Sequence, residues 1–269
     1  MADLAGQSFA GCEIIAKLGQ GGFGAVYKAR QVDLDRFVAI KVLSRELSED
    51  PEYVARFKQE AAAAAKLSHS GIVQVYAAGS VEGTHYFIME FVDGESVQRR
   101  IDREGKIEPR EALAICIYVA EALEFAWQRA KLIHRDVKPD NIFLSADAQV
   151  KLGDLGLAKQ AGASTNLTRS GMMMGTPNFI SPEQAQAKKE IDFRADIYSL
   201  GCTLYYMVTG RMPYEGAGDA LAIIHKHCYD PRAKSLSDLA AKKFHKSRVY
   251  NGRTFSDQKQ TACNHGAYA

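Results

Sequence analysis

The chain has 269 residues, 46% of them hydrophobic and 25% charged, a composition ordinary for a soluble globular protein that buries a sizeable core. The length suits one large domain or two lobes. A net charge of only +2 gives no electrostatic case for nucleic acid or a membrane surface as partner, and no apolar run is long enough to span a bilayer.

The elements follow in chain order. Strand-type alternation over residues 13–18 and 25–29 flanks a glycine run and predicts a hairpin with a flexible tip. Residues 37–43 read as a third strand. Residues 52–67 read as a helix, with an unbroken alanine run at 61–65. Strand character returns at 72–77 and 85–91. Val92, Asp93 and Gly94 then read as a connector between lobes. Residues 109–129 carry Leu113, Ile117, Ala120, Leu123 and Phe125 at helical spacing and predict a long buried helix. Short strands and loops are expected over 136–154, and a polar, then methionine-rich stretch over 162–174. Residues 195–209 predict an apolar helix ended by Gly210, with Pro213 beyond it. The outcome is a strand-rich first third and a helix-rich remainder.

The five cysteines are scattered, with no Cys-x-x-Cys pair, which favours a reduced, cytoplasmic setting. The first residues lack the basic and apolar regions of a signal peptide. His225, His227 and Cys228 match no zinc spacing and read as a solvated helix face.

Gly19, Gly21 and Gly24 form G-x-G-x-x-G within LGQGGFGAV. Glycine lets a backbone approach phosphate oxygens closely. Dinucleotide-binding folds open with the same string, but there a helix follows; here Ala25-Val26-Tyr27 is strand-type, which argues against that reading. Lys41 ends the apolar strand VAIK. A buried lysine needs a partner, and Glu60 on the following helix is the candidate.

HRDVKPDN gathers Asp136, Lys138 and Asn141 on one loop. The carboxylate can accept or orient a hydroxyl proton, the lysine can neutralise a phosphoryl group in transfer, and Asn141 offers a carbonyl oxygen to a hard cation. Asp154, in a turn made by Gly153 and Gly156, supplies a second oxygen ligand. Two such donors beside phosphates suit Mg²⁺, which keeps several waters. Positioning and charge neutralisation then carry the chemistry.

Taken together with GTPNFISPE at 175–183, these strings resemble the eukaryotic-like (Hanks-type) serine/threonine protein kinases, including those of bacteria. The resemblance implies an α+β, two-lobed protein kinase fold with a strand-rich N-terminal lobe and a helical C-terminal lobe. It covers residues 12–227, with the N-lobe at about 12–92 and the C-lobe at about 93–227. It implies ATP as phosphoryl donor, Mg²⁺, and Ser/Thr hydroxyls of proteins as acceptors. Asp136 would be the catalytic base and Lys138 the phosphate-contacting lysine. Asn141 and Asp154 would hold the metal. Lys41, paired to Glu60, would grip the α- and β-phosphates under a loop that includes Gly22. Leu18, Val26 and Ala39 would cap the adenine and Phe143 would lie beneath it. Met89 would be the gatekeeper, Glu90 and Val92 would read the adenine edge, and Glu95 would lie near the ribose. Lys138 and Thr176 resemble the serine/threonine branch. Asp196 resembles the buried aspartate that braces the catalytic loop. Arg135 would bind a phosphate on the segment before SPE, with Thr168 and Ser170 the favoured acceptors for autophosphorylation.

Some positions depart from the family pattern. Leu155 replaces a phenylalanine, and SPE replaces APE. Ala64 stands where a larger apolar residue is usual and would leave a gap beside Leu155. Residues 228–269 form a divergent basic tail. From His227 onward there are eight Lys/Arg against three Asp/Glu. The last C-lobe helices read as missing or replaced, and only Arg248 and Arg253 remain as late partners for Glu183. The rival readings are an ATP-binding pseudokinase or truncated inactive scaffold, and a small-molecule kinase of related fold. Intact Lys41, Asp136, Asn141 and Asp154 argue against the first; the 175–183 segment argues against the second.

Overall fold

The computed structural model describes residues 4–21, 24–154 and 177–230; the side chains of Arg56 and Glu60 also lie outside the described set. The chain divides into two compact units. Among the described residues, one runs to Phe91 and the other comprises 92–154 with 177–230. The boundary falls at the start of the expected connector.

The first unit is built on a six-stranded sheet. Its strands are β1 (Ser8–Phe9), β2 (Cys12–Gly21), β3 (Gly24–Gln31), β4 (Arg36–Leu43), β5 (Val75–Val81) and β6 (Thr84–Glu90), in the order β1-β2-β3-β4-β6-β5, and every neighbouring pair is antiparallel. Strand periodicity sends Ala25, Tyr27, Ala29, Val38, Ile40, Val42 and Ile88 to one face, where they form a core with Cys12 and Ile14. The predicted strand at 72–77 is displaced: Ile72 and Val73 are buried and Ile72 makes an isolated bridge, but the continuous ladder starts at Val75.

Two helices follow β4: α1 (Arg45–Ser48) and α2 (Pro51–Ala64). Asp50 caps α2 by accepting from the N–H groups of Glu52 at 2.9 Å and Tyr53 at 3.2 Å, and Pro51 occupies the first turn, where its missing N–H costs nothing. Phe57 stacks on Phe87 with ring centroids 3.8 Å apart, so α2 covers the sheet face opposite the core just described. A cavity of about 290 Å³ lies between α2 and β5, lined by Phe57, Ala61, Ala65 and Val75. Ala64, where the sequence predicts a gap, is buried and does not line it; Leu155 lies outside the described residues.

The second unit contains β7 (Gly94–Ser96), α3 (Val97–Glu104), α4 (Pro109–Ala130), β8 (Ile142–Ser145), β9 (Val150–Leu152), α5 (Pro182–Ala185), α6 (Arg194–Thr209) and α7 (Ala220–Tyr229). Helix α4 is present as predicted, but its buried face is rotated. Ala112, Ile115, Cys116, Val119, Ala122, Leu123 and Ala126 are buried, whereas Leu113, Ile117, Ala120 and Phe125 are only partly so. Small side chains let α4 lie close to α6, and the large ones fill the flanks. Helix α6 ends at Gly210, as its sequence predicts. That residue has φ +68°, and a Cβ there would lie 2.3 Å from the Gly105 carbonyl oxygen, so both backbone geometry and close approach require glycine.

The expected solvated face at the chain's last described helix is corrected. His227 is fully buried, with Nδ1 2.7 Å from the Tyr198 hydroxyl and Tyr214 edge-on at 4.8 Å. Burial lowers its pKa to about 4. His225 stays exposed, whereas Cys228 beside His227 is partly buried and its Sγ lies 3.9 Å from the Pro182 carbonyl.

Candidate active site

In the first unit the strand register gathers residues that are far apart in the chain. Val26 pairs with Lys41, Lys41 with Phe87, and Ala39 with Met89. Directly opposed residues share a face, so Val26, Ala39, Lys41 and Met89 all lie on the face away from the Ile40 core. Lys41 is half-buried there. Helix α2, which carries Glu60, covers this same face through Phe57; the Glu60 side chain is outside the described set. Glu90 pairs with Val38, and its carboxylate accepts from the Gln74 N–H at 3.3 Å.

The three glycines differ in kind. Gly24 has φ +140°, and a Cβ on it would sit 1.9 Å from the Val42 carbonyl oxygen. It lets the start of β3 lie close against the end of β4, where Gly24 pairs with Leu43. Gly19 and Gly21 have open space where a Cβ would go, and Leu18 beside them is exposed. Gly22 lies outside the described residues.

In the second unit the loop before β8 is held by buried polar groups. His134 is fully buried. The Asp136 N–H donates to His134 Nδ1 at 3.2 Å, which leaves the ring proton on Nε2, and Nε2 donates to the Gly153 carbonyl at 2.9 Å. Asp196, on α6, accepts from the N–H of His134 and of Arg135, each at 2.7 Å. Burial pushes the Asp196 carboxyl up; His134, the two N–H donors and Arg135 pull the other way. Thr203, two turns along α6, meets the Val137 carbonyl at 3.5 Å. One face of α6 thus supports the loop at successive residues.

That support brings the acidic and amide groups together. Lys138 Nζ lies 3.3 Å from Asp136 Oδ2. Asn141 Nδ2 donates to the same oxygen at 3.1 Å and to the Asp136 carbonyl at 2.8 Å. With its nitrogen spent on Asp136, Asn141 keeps Oδ1 as the atom to offer a cation. The Gly153 N–H donates to the Asn141 carbonyl at 2.8 Å, which sets Asp154 beside this loop. Asp154 has φ +51°, an uncommon backbone for a non-glycine residue and a frequent mark of functional sites. A carboxylate and an amide oxygen fit the donor chemistry of Mg²⁺.

The remaining predicted residues are distributed as follows. Phe143, on β8, pairs with Ser96 on β7, and Val92 precedes that strand. The Glu95 carboxylate is bonded to Arg103 at 2.7 Å, a partner the sequence reading missed. Arg135 has φ +62°, and its Nε is buried without a hydrogen-bond partner among the described residues. Thr168, Ser170 and Thr176 lie outside them. Sequence reasoning also assigned no part to His134 or Gln184. For Gln184 the Ser-x-x-Gln spacing was a usable signal.

A strand-rich lobe carrying a lysine on its middle strand, and a helical lobe carrying this loop, define the protein kinase fold. The Protein kinase domain family matches residues 12–251, past the point where the motif resemblance stops. A probable serine/threonine-protein kinase of Clostridium acetobutylicum is 40% identical over 218 residues, covering 81% of this chain and 33% of that protein. The serine/threonine-protein kinase PknJ of Mycobacterium tuberculosis is 42% identical over 232 residues, covering 84% and 39%. The crystal structure of the M. tuberculosis PknI kinase domain matches with a TM-score of 0.67 at 27% identity, covering 90% of this chain and 99% of that one. The chain belongs to the protein kinase family, in the eukaryotic-like (Hanks-type) serine/threonine branch found in bacteria. It spans about a third of the length of the curated relatives it matches.

Proposed function

We propose that this chain is an ATP-dependent serine/threonine protein kinase that transfers the γ-phosphoryl group of ATP to Ser/Thr hydroxyls of proteins. The observation that carries the reading is the convergence of Lys138 and Asn141 on Asp136 Oδ2, at 3.3 and 3.1 Å. In this reading Asp136 accepts the hydroxyl proton, and Lys138, one heavy-atom contact away, balances charge on the group in transfer. Asn141 Oδ1 and Asp154 would hold Mg²⁺, which when bound would supply neutralisation of phosphate charge. Lys41, paired with Glu60, contacts the α- and β-phosphates, and Gly19, Gly21 and Gly22 admit them closely. Leu18, Val26 and Ala39 of the first unit, and Phe143 of the second, are the residues that would contact the adenine. Met89 limits its depth, the backbone of Glu90 and Val92 reads its edge, and Glu95 borders the ribose in competition with Arg103.

The motif-bearing part of the kinase domain runs from 12 to 227; the family match continues to 251, into the basic stretch 228–269. Arg135 takes the phosphate of an autophosphorylated Thr168 or Ser170, and Thr176 belongs with them to the regulatory set. The partners are proteins with Ser/Thr, with no nucleic acid expected. Reliance on ATP and the scattered cysteines put the domain on the cytoplasmic side; no described helix is long and apolar enough to cross a membrane.

The test is transfer of labelled phosphate from Mg-ATP to a Ser/Thr protein, with Asp136→Asn alongside. Wild-type transfer that falls about 10³-fold in the variant, at an unchanged melting temperature, is expected. Equal transfer by both proteins would defeat the reading, and a wild type that binds Mg-ATP without turnover would mark a pseudokinase.

A further inference from the structure

Gln184 uses the two ends of one amide for different purposes. Its Oε1 accepts from the Ser181 N–H at 3.3 Å and from the Ser181 hydroxyl at 3.0 Å, while Ser181 Oγ accepts from the Gln184 N–H at 3.3 Å. These bonds close a capping box at the start of α5, around a fully buried serine. Because Ser181 N–H can only donate, Oε1 must be the end that faces it. Nε2 therefore points the other way, and it donates to the Arg135 carbonyl at 2.9 Å. A capping box needs only an acceptor at this position, so a glutamate would close it as well. The donor end is left over, and its target is the residue before Asp136.

That target is informative. The Arg135 carbonyl and the Asp136 N–H belong to one planar peptide group. The N–H end of this plane donates to His134 Nδ1, and the carbonyl end accepts from Gln184. One residue earlier, the Arg135 N–H is held by Asp196. Arg135 itself has the left-handed φ of +62°, which a side-chain-bearing residue keeps only when its surroundings over-determine it. His134 and Asp196 act on N–H groups; among the described residues, Gln184 supplies the donor to the carbonyl.

We infer that Gln184 is a positioning residue for Asp136. Its amide clamps the Arg135–Asp136 peptide plane, and so ties the orientation of the Asp136 carboxylate to the seating of the 177–185 segment. That segment continues directly from the stretch that carries Thr168, Ser170 and Thr176. Displacing it would free the carbonyl end of the plane and let Asp136 turn. The inference rests on the phosphotransfer role proposed for Asp136.

The decisive variant is Gln184→Glu, which keeps the acceptor for Ser181 and removes the donor to Arg135. Ser181→Ala is its complement, weakening the cap and keeping the donor. Two measurements are made on each: steady-state phosphorylation of a protein substrate, and amide hydrogen exchange over residues 134–137 and 194–209. We expect Gln184→Glu to lower kcat at least about ten-fold with KM for ATP within about two-fold, and to speed exchange at 134–137 but not at 194–209. Ser181→Ala should lower the melting temperature more and kcat less. Wild-type kcat and exchange in Gln184→Glu would overturn the clamp, and so would an equal loss of kcat in Ser181→Ala. If Gln184→Glu does not fold, Gln184→Met replaces it, judged by the same loop exchange against Ser181→Ala. Asp136→Asn runs in parallel. Absence of Asp136-dependent transfer in the wild type defeats the phosphotransfer reading, while the exchange comparison, which needs no turnover, still decides the clamp.

Discussion

Lys41 in the strand-rich unit and Asp136 in the helical unit are held by different means. Lys41 sits in the middle of a sheet, where backbone pairing on both sides sets its position and strand alternation sets its face. Asp136 sits in a loop with no ladder to hold it. Its place is set by His134, Asp196 and Asn141, side chains drawn from the loop itself and from a helix some sixty residues away. A sheet spreads positional control over many equivalent bonds. A braced loop concentrates it in a few buried polar groups, each costly to lose. The difference predicts robust placement in the first unit and fragile placement in the second.

Asp196→Ala is the sharpest way to break the helical side of this comparison. It leaves two buried N–H groups without acceptors and frees a residue held at left-handed φ. Urea denaturation should show a loss of about 3–4 kcal/mol. A loss below about 1 kcal/mol would mean that the brace carries little and that the two units are alike.

The strand-rich side has one point of comparable fragility, at Gly24. Gly24→Ala puts a Cβ against the Val42 carbonyl at a φ that alanine avoids, and should cost about 2–3 kcal/mol. Gly21→Ala meets nothing within 4 Å and should leave stability within about 0.5 kcal/mol. Equal effects in the pair would show that β3 does not pass β4 as closely as the structure has it.

A pH dependence in the helical unit is the next effect in size after the loss at Gly24. His227 is buried neutral with a folded pKa of about 4, below the ordinary value of 6.5. Between these values the unfolded chain binds the proton and the folded one does not, so stability falls as pH drops. From pH 7 to pH 5 the loss from this group approaches about 2 kcal/mol. Asp196, whose carboxyl burial raises, contributes with the opposite sign at its own titration. The difference between wild type and His227→Gln therefore isolates the histidine. Thermal melts in which both proteins decline equally over that range would remove His227 as the cause.

The same contrast explains which features were legible in the chain. The hairpin, the β4 strand and the end of α6 at Gly210 were visible because local spacing and one glycine decide them. The rotated face of α4 was not visible. Its apolar residues surround most of the helix, and only contact with α6 selects Ala112, Cys116 and Val119 over Leu113 and Ile117. His227 was misread for a related reason. A histidine at a helix end looks solvated until Tyr198 and Tyr214 are brought over it from other elements.

For the site, sequence alone determined which residue types are present and in what order: Lys41 on an apolar strand, Asp136, Lys138 and Asn141 on one loop, and Asp154 after it. Short-range pattern suffices there, because strand alternation and loop composition act over a few residues. Tertiary structure decided how Asp136 is held. A hydrogen bond from Gln184 to Arg135, or from the loop to Asp196, joins groups some fifty to sixty residues apart, and only the packed chain brings such groups within 3 Å.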